Sequence, residues 1–401
     1  MKAVILAAGE GKRMHPLTYT QPKVMLPVAG RPLLEWNILR AKEAGIRDVV
    51  LVVGYKSGRV RDYFGDGAAW DVSIEYVNQG EPRGTGHAVA QVKPFVDDFL
   101  VLCGDTIVGT WDIQTVMEQD MAMGLTEVAD ASEYGAVETS DGSITAIHEK
   151  MAQPVSQVIN AGIYHFTGDI FGYLDRIDRS PRGEYELTDA INLLAGEQEM
   201  AGITLQEWRD VGYPWDLLGA NAEMLAAMDG SIKGHVEPHA TLEGAVHVGE
   251  NTRVLNGAYV QGPVYIGKGC KIGPNCHIRP ATSIGCGCHV GNACEIKNSI
   301  VMPGSNVPHH NYVGDSVIGC GCNLGSGTKI ANLRLDKDNI TVTQNGKKVD
   351  TGRRKLGAII GDNVQTGINA MLNVGTLVGN SVFIGPGALA SGEIQPGSQI
   401  M

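Results

Sequence analysis

Two incompatible hydrophobic periods divide the chain near residue 230. Up to about Asp229, aliphatic runs alternate with segments of helical period. VILAA (4–8), DVVLVVG (48–54) and FLVLCGD (99–105) read as strands buried on both faces, and 33–45 as a helix closed by Gly45. Alternation of this kind predicts a layered α/β domain with a mainly parallel sheet and function at the carboxyl ends of its strands.

After Gly230 the period becomes six. Val236, Leu242, Val248, Val254, Val260, Ile266, Ile272, Ile278, Ile284, Val290 and Ile296 keep one register. After a one-residue slip it resumes at Val313, Ile318, Leu324 and Ile330, and again at Ile360, Val378 and Ile384. Such a hexapeptide repeat predicts a parallel β-helix, three hexapeptides to a triangular coil, aliphatic side chains inward. Domains of 1–229 and 230–401 follow. The register breaks over 332–356, a polar stretch with a hairpin turn at Asn345-Gly346, which should leave the helix as a functional loop. Cys270, Cys276, Cys288, Cys294 and Cys322 all lie four residues after a repeat aliphatic, so packing accounts for them better than metal or disulfides do.

Composition narrows the classes. The chain has 401 residues, 43% hydrophobic and 19% charged, with a formal charge of −12. With no basic run, neither a nucleic-acid partner nor a membrane surface is expected. MKAVILAAG reads as a first strand rather than a signal peptide, and a cytoplasmic protein with reduced thiols is expected.

The first strand runs into LAAGEGKRMHPLTYTQPKVMLPVAG (6–30). Gly9 and Gly11 free backbone N–H groups to meet an anion, and Arg13 and Lys23 add charge. A lone G-x-G says little, and the string is neither a Walker loop nor a full dinucleotide fingerprint. As a whole, L-A-A-G-x-G-x-R, P-L-T and P-K-x-x-L-P-V resembles the signature of the nucleotide-diphospho-sugar pyrophosphorylases. The resemblance extends through NQGEPRGTGHA (78–88), LCGDTIV (102–108), YGAVE (134–138), HEK (148–150), NAGIY (160–164) and WRDVGYPWDL (208–217). It implies nucleotide contacts at Leu6, Ala8, Gly9, Gly11, Gln79, Gly84 and Thr85, with Gln79 toward a pyrimidine edge. It implies sugar-phosphate contacts at Gly135, Glu149 and Asn160, and Mg²⁺ on Asp105 and a second carboxylate, Asp210 or Asp216. Arg13 would face the leaving phosphates of the triphosphate and Lys23 the sugar phosphate. The spacing between Arg13 and Lys23 is of the thymidylyl- and glucose-uridylyl-transferase type, whereas PRGTGHA resembles the N-acetylglucosamine-1-phosphate uridyltransferases. UTP and dTTP therefore both remain open as substrates.

Residues 279–332 resemble the acetyltransferase half of the bifunctional enzymes that make UDP-N-acetylglucosamine. Arg279 and Lys297 would hold the sugar phosphate, His309 would be the base, and Tyr312 and Asn332 would orient the amino sugar. The base position is counted back from the shared Y-x-G-D, and a slip of one residue would exchange His309 for His310. Arg353, Arg354 and Lys355 are candidates for coenzyme A phosphates, and Lys337 for the sugar site. The fold class implied is α/β: a Rossmann-like nucleotidyltransferase domain with a mainly parallel mixed sheet, then a left-handed parallel β-helix. Partners are small molecules (sugar-1-phosphates, UTP or dTTP, acetyl-CoA) and, for the β-helix, a homotrimer or a multiple of one. The competing expectations are a monofunctional glucose-1-phosphate thymidylyl- or uridylyltransferase whose β-helix only oligomerises, and a regulatory assembly protein. Intact Arg13, Lys23 and Asp105 argue against the latter.

Overall fold

A computed structural model describes residues 1–401. Its first sheet has nine strands: β1 (Lys2–Ala7), β2 (Asp48–Val53), β3 (Ser73–Asn78), β4 (Asp98–Cys103), β5 (Ala122–Glu127), β6 (Gly135–Ser140), β7 (Ser143–Glu149), β8 (Val158–Thr167) and β9 (Ala201–Thr204). They are ordered β3-β2-β1-β4-β8-β5-β9-β7-β6. Strands β3, β2, β1 and β4 are parallel, as the alternation predicts. The other half is mostly antiparallel, because β8 runs back against both β4 and β5. A two-residue turn, Asp141-Gly142 with both φ positive, folds β7 onto β6. The sheet is thus mixed, and its parallel character is confined largely to the first four strands.

Successive residues of β1 enter opposite cores, Val4 one and Ala3 and Ile5 the other, so both faces are covered. The helix Leu33–Glu43 supplies Leu34, Ile38 and Ala41 to the second core and ends before Gly45, whose φ is +104°. From β1 the chain moves outward through β2 to β3, then returns to place β4 on the other side of β1. This reversal opens a crevice at the carboxyl ends of β1 and β4.

The repeats wind into three parallel sheets of nine, nine and eight short strands, a prism consistent with a left-handed β-helix. Repeat aliphatics from Val248 to Ile384 fill it. Val301 and Val307, absent from the pattern read in the sequence, carry the register across the slip. The shortening occurs twice at the same corner, so Ile284 stacks on Val301, and Val301 on Ile318, after seventeen residues instead of eighteen. Val317–Ile318 pairs directly with Ala358–Ile360, so the polar stretch is an excursion between adjacent coils. It contains the hairpin Thr341–Gln344 and Lys347–Asp350, turning on Asn345 and Gly346 with φ of 51° and 73°.

The five cysteines occupy buried packing positions. The thiols of Cys270, Cys288, Cys294 and Cys322 donate to the carbonyls of Gly285, Met302, Val307 and Gly361 at 3.1–3.2 Å. Burial pushes those of Cys276, Cys288 and Cys322 up to about 12, leaving them unreactive.

Compactness divides the chain differently from its periods. One unit comprises residues 1–10, 22–25 and 32–210; the other comprises 11–21, 26–31 and 211–401. The signature loop from Gly11 to Gln21 therefore belongs to the unit that contains the solenoid.

Candidate functional sites

In the first unit, candidate residues converge where β1 and β4 end. A Cβ on Gly104 would stand 2.7 Å from the Leu6 carbonyl, so only glycine lets the two strand ends close up. Asp105 follows, its carboxylate 2.7 Å from the Lys23 ammonium; the Lys23 side chain is 9% exposed and that of Asp105 40%. Asp210 lies on a short strand, Trp208–Asp210, paired with Thr106–Val108 so that it faces Thr106, the neighbour of Asp105. Tyr134 donates to Asp210 at 3.2 Å.

Cys103 reports this convergence. Burial pushes its thiol far up, Asp105 and Asp210 push it further, Lys23 opposes them, and Glu149 adds to the rise. Glu149 is itself raised by burial, against Arg182 and a hydrogen bond from Thr188. A Cβ on Gly135 would meet the Glu149 carboxylate at 3.1 Å. Asn160 donates to the Tyr164 hydroxyl at 2.7 Å and accepts from Gly162 N, which places it beside Cys103. Asp216, in the second unit, accepts from Tyr213 N at 2.6 Å at the start of the helix Asp216–Ala226.

Gly9 has open space where a Cβ would be, as backbone approach to a ligand requires. Gln79 is buried, and its amide nitrogen lies 3.0 Å from the Gly84 carbonyl and 3.3 Å from His87. It braces the Gly84-Thr85-Gly86 turn. Gly84 is essential there, since a Cβ would stand 2.4 Å from the Tyr185 carbonyl.

In the second unit, Gly11 takes φ 68° and its carbonyl accepts from Thr18 at 2.9 Å, curling the signature loop. Arg13 lies 5.3 Å from the centre of the Tyr213 ring, which stacks on Trp215 at 4.8 Å.

The solenoid carries the other candidates. Arg279 and Lys297 stand on successive coils. Arg279 pairs with Glu295 at 2.8 Å and Lys297 with Asp315 at 3.0 Å. Asp315 also accepts from Asn298 at 2.7 Å and from Asn332, which reaches the Tyr312 hydroxyl at 3.2 Å. This buried carboxylate is the hub that sequence reasoning missed; its only signal was its place as the last residue of the Y-x-G-D string. His309 ends a strand of another face, Asn306–His309, and is exposed. Arg279, Lys297, Tyr312 and Asn332 are thus carried by one face of the prism and His309 by another. His310 follows it with φ 53°, its carbonyl accepting from Lys329. Of the loop cations, Arg354 and Lys355 are exposed, whereas Arg353 turns to the Trp215 carbonyl at 3.5 Å.

A Rossmann-like sheet with a two-carboxylate, one-lysine crevice, followed by a hexapeptide prism, defines a nucleotidyl transferase with an acyltransferase-type solenoid. Residues 2–227 match the nucleotidyl transferase family, and 260–378 match the GMPPB C-terminal domain. A relative from Sulfurisphaera tokodaii, named bifunctional sugar-1-phosphate nucleotidylyltransferase/acetyltransferase, is 40% identical, with 98% of each chain covered. The bifunctional protein GlmU of Methanocaldococcus jannaschii is also 40% identical, over 98% of this chain and 96% of that one. Among solved structures, one from Bacillus anthracis, described as a putative glucose-1-phosphate thymidylyltransferase in complex with sucrose, matches with a TM-score of 0.54 at 29% identity. It spans 58% of this chain and 98% of its own. The chain belongs to the family of bifunctional sugar-1-phosphate nucleotidylyltransferase/acetyltransferases. No helix is long and apolar enough to cross a membrane.

Proposed function

We propose that the enzyme acetylates glucosamine-1-phosphate with acetyl-CoA and then transfers uridylyl from UTP to the N-acetylglucosamine-1-phosphate, releasing pyrophosphate. The observation that carries the nucleotidyl step is the Lys23–Asp105 pair, 2.7 Å apart at the end of β4, with Asp210 on the short strand paired beside it. A sugar-1-phosphate oxygen attacks the α-phosphorus in line, and the bond to pyrophosphate breaks. The attacking oxygen is already anionic, so the protein's task is alignment and charge cancellation. The N–H groups of Gly9 and Gly11 and the Arg13 guanidinium take the triphosphate; Lys23 meets the phosphate of the sugar-1-phosphate, and Gly135, Glu149 and Asn160 its sugar, with Glu149 accepting from hydroxyls.

Two neighbouring carboxylates, Asp105 and Asp210, with Asp105 part-exposed, fit Mg²⁺, which needs only one or two protein carboxylates beside phosphates and water. When bound there, the ion supplies charge neutralisation on the phosphate oxygens. The pairing of Asp210 with Thr106, the neighbour of Asp105, supports Asp210 as the second ligand.

In the solenoid, Arg279 and Lys297 hold the sugar phosphate and Tyr312 and Asn332 orient the amine. His309 removes a proton from the substrate ammonium, the amine nitrogen bonds to the thioester carbon as the C–S bond breaks, and the leaving CoA thiolate takes up the second proton that the nitrogen sheds. Separation of His309 from the cations within one chain supports a trimer in which neighbours complete each site. Outward Met371, Phe383 and Leu389, 42–60% exposed on the last coils, supply apolar surface for such an interface.

The test is a matrix of sugar-1-phosphates against UTP and dTTP scored for pyrophosphate, with CoA release from acetyl-CoA and glucosamine-1-phosphate alongside. Preference for dTTP with glucose-1-phosphate and no CoA release would overturn the reading in favour of a monofunctional enzyme. Light scattering decides the trimer.

A further inference from the structure

The inserted hairpin does something that loops beside acyl-transfer sites have no need to do. Its first strand, Thr341–Gln344, alternates exposed and buried, with Val342 and Gln344 inward and Ile340 buried just before it. Ile340 and Val342 pack over the next coil at Gly375, where a Cβ would meet them at 2.8 and 3.2 Å. Gln344 repeats the inward phase but is polar, and it is only 5% exposed. Its amide nitrogen donates to the carbonyl of Arg13 at 2.9 Å and to that of His15 at 3.0 Å. Both protons of one buried amide are thus spent on the signature loop, on either side of Met14.

A second contact fixes the far end of the same loop. Thr20 donates to the Asp362 carboxylate at 2.5 Å, and the other oxygen of that carboxylate accepts from Cys320 N at 2.7 Å. Arg13 is also backed by Tyr213 on Trp215, whose carbonyl meets Arg353 at the base of the excursion. The loop is therefore gripped at Arg13–His15 and at Thr20 by residues hundreds of positions along the chain.

We infer that Gln344 is a positioning residue for nucleotidyl transfer: the hairpin inserted in the solenoid clamps the backbone of Arg13 so that its guanidinium meets the triphosphate in one orientation. The inference rests on the role proposed for Arg13. A flexible arginine must be ordered in every catalytic cycle, and a backbone held by two buried hydrogen bonds lowers that cost before the nucleotide arrives. An amide is required, because both facing groups are carbonyl acceptors.

Three variants of the full-length enzyme separate donation from packing. Gln344→Met fills the same space without donors, Gln344→Glu presents an anion to two acceptors, and Arg13→Ala tests the underlying role. Initial rates of UTP-dependent pyrophosphate release are measured with melting temperature as the fold control. Expected for Gln344→Met is a fall of roughly tenfold in kcat/KM for UTP, with KM for the sugar phosphate unchanged, as for loss of a buried hydrogen-bonding partner. Gln344→Glu should fall further at pH 8 and recover relative to wild type as pH is lowered, because a protonated carboxyl regains one donor. A packing residue would give neither the split nor the pH dependence. Wild-type kinetics in folded Gln344→Met, with Arg13→Ala inactive, would overturn the clamp alone. Wild-type kinetics in Arg13→Ala would overturn the role of Arg13, and the clamp with it.

Discussion

Replacing Asp315 tests whether one buried carboxylate organises the acetyl-transfer surface. It is 3% exposed, occupies the left-handed region with φ 49°, and accepts from Lys297, Asn298 and Asn332. Alanine would add backbone strain, so Asp315→Asn, which tolerates that conformation, is the cleaner change. The substituted amide keeps one acceptor oxygen and turns an NH₂ group toward partners that are themselves donors. The charge-assisted bond to Lys297 is lost and at least one donor is stranded. The Lys297 side chain is 20% exposed, which relieves part of the penalty. Together these predict a loss of about 3 kcal/mol, the lower end of what breaking a buried pair costs. For a solenoid of about 170 residues melting as one unit, that is a fall of roughly 8 °C. Differential scanning calorimetry measures it. CoA release should collapse because Lys297 and Asn332 lose their common anchor, while pyrophosphate release persists. A variant that melts with the wild type and acetylates normally would refute the hub.

Asp105→Asn should abolish pyrophosphate release and leave CoA release intact; wild-type rates would remove Asp105 from the site. His309→Ala should lower CoA release by ~10²–10⁴-fold, with partial recovery at high pH as the amine deprotonates unaided. His310→Ala should cost little, and the reverse ranking would move the base by one residue. Because burial raises the Glu149 carboxyl, the folded protein holds that proton more tightly than the unfolded chain does. Its contribution to stability is full below the unfolded value and lost as pH rises through the raised one. Glu149→Gln should therefore gain melting temperature relative to wild type at pH 8 but not at pH 4; an equal difference at both would contradict a raised carboxyl.

Much of the architecture was legible because it rests on local repetition. A period of six admits few folds, and each aliphatic from Val248 to Ile296 turns inward as that period requires. The Asn345-Gly346 turn, the strand before Asp105 and the packing role of the cysteines were equally readable, since each depends on residue type and phase alone. Where the pattern failed, the reason is physical. Two seventeen-residue coils hid Val301 and Val307 by shortening a corner without disturbing the stack. The antiparallel half of the first sheet follows from the course of Val158–Thr167, which no period reveals.

The site divides in the same way. Sequence supplied the types, carboxylates and cations after buried strands, but not the pairings. That Asp210 comes to lie opposite Thr106, beside Asp105, depends on a short strand pairing with one far earlier in the chain. Asp315 and Gln344 bear no chemistry in their neighbours along the chain; each acquires its partners only when distant turns of backbone are brought within hydrogen-bond reach. Local chemistry therefore chose the folds and the reacting groups, and long-range packing alone decided which buried polar atoms hold them in place.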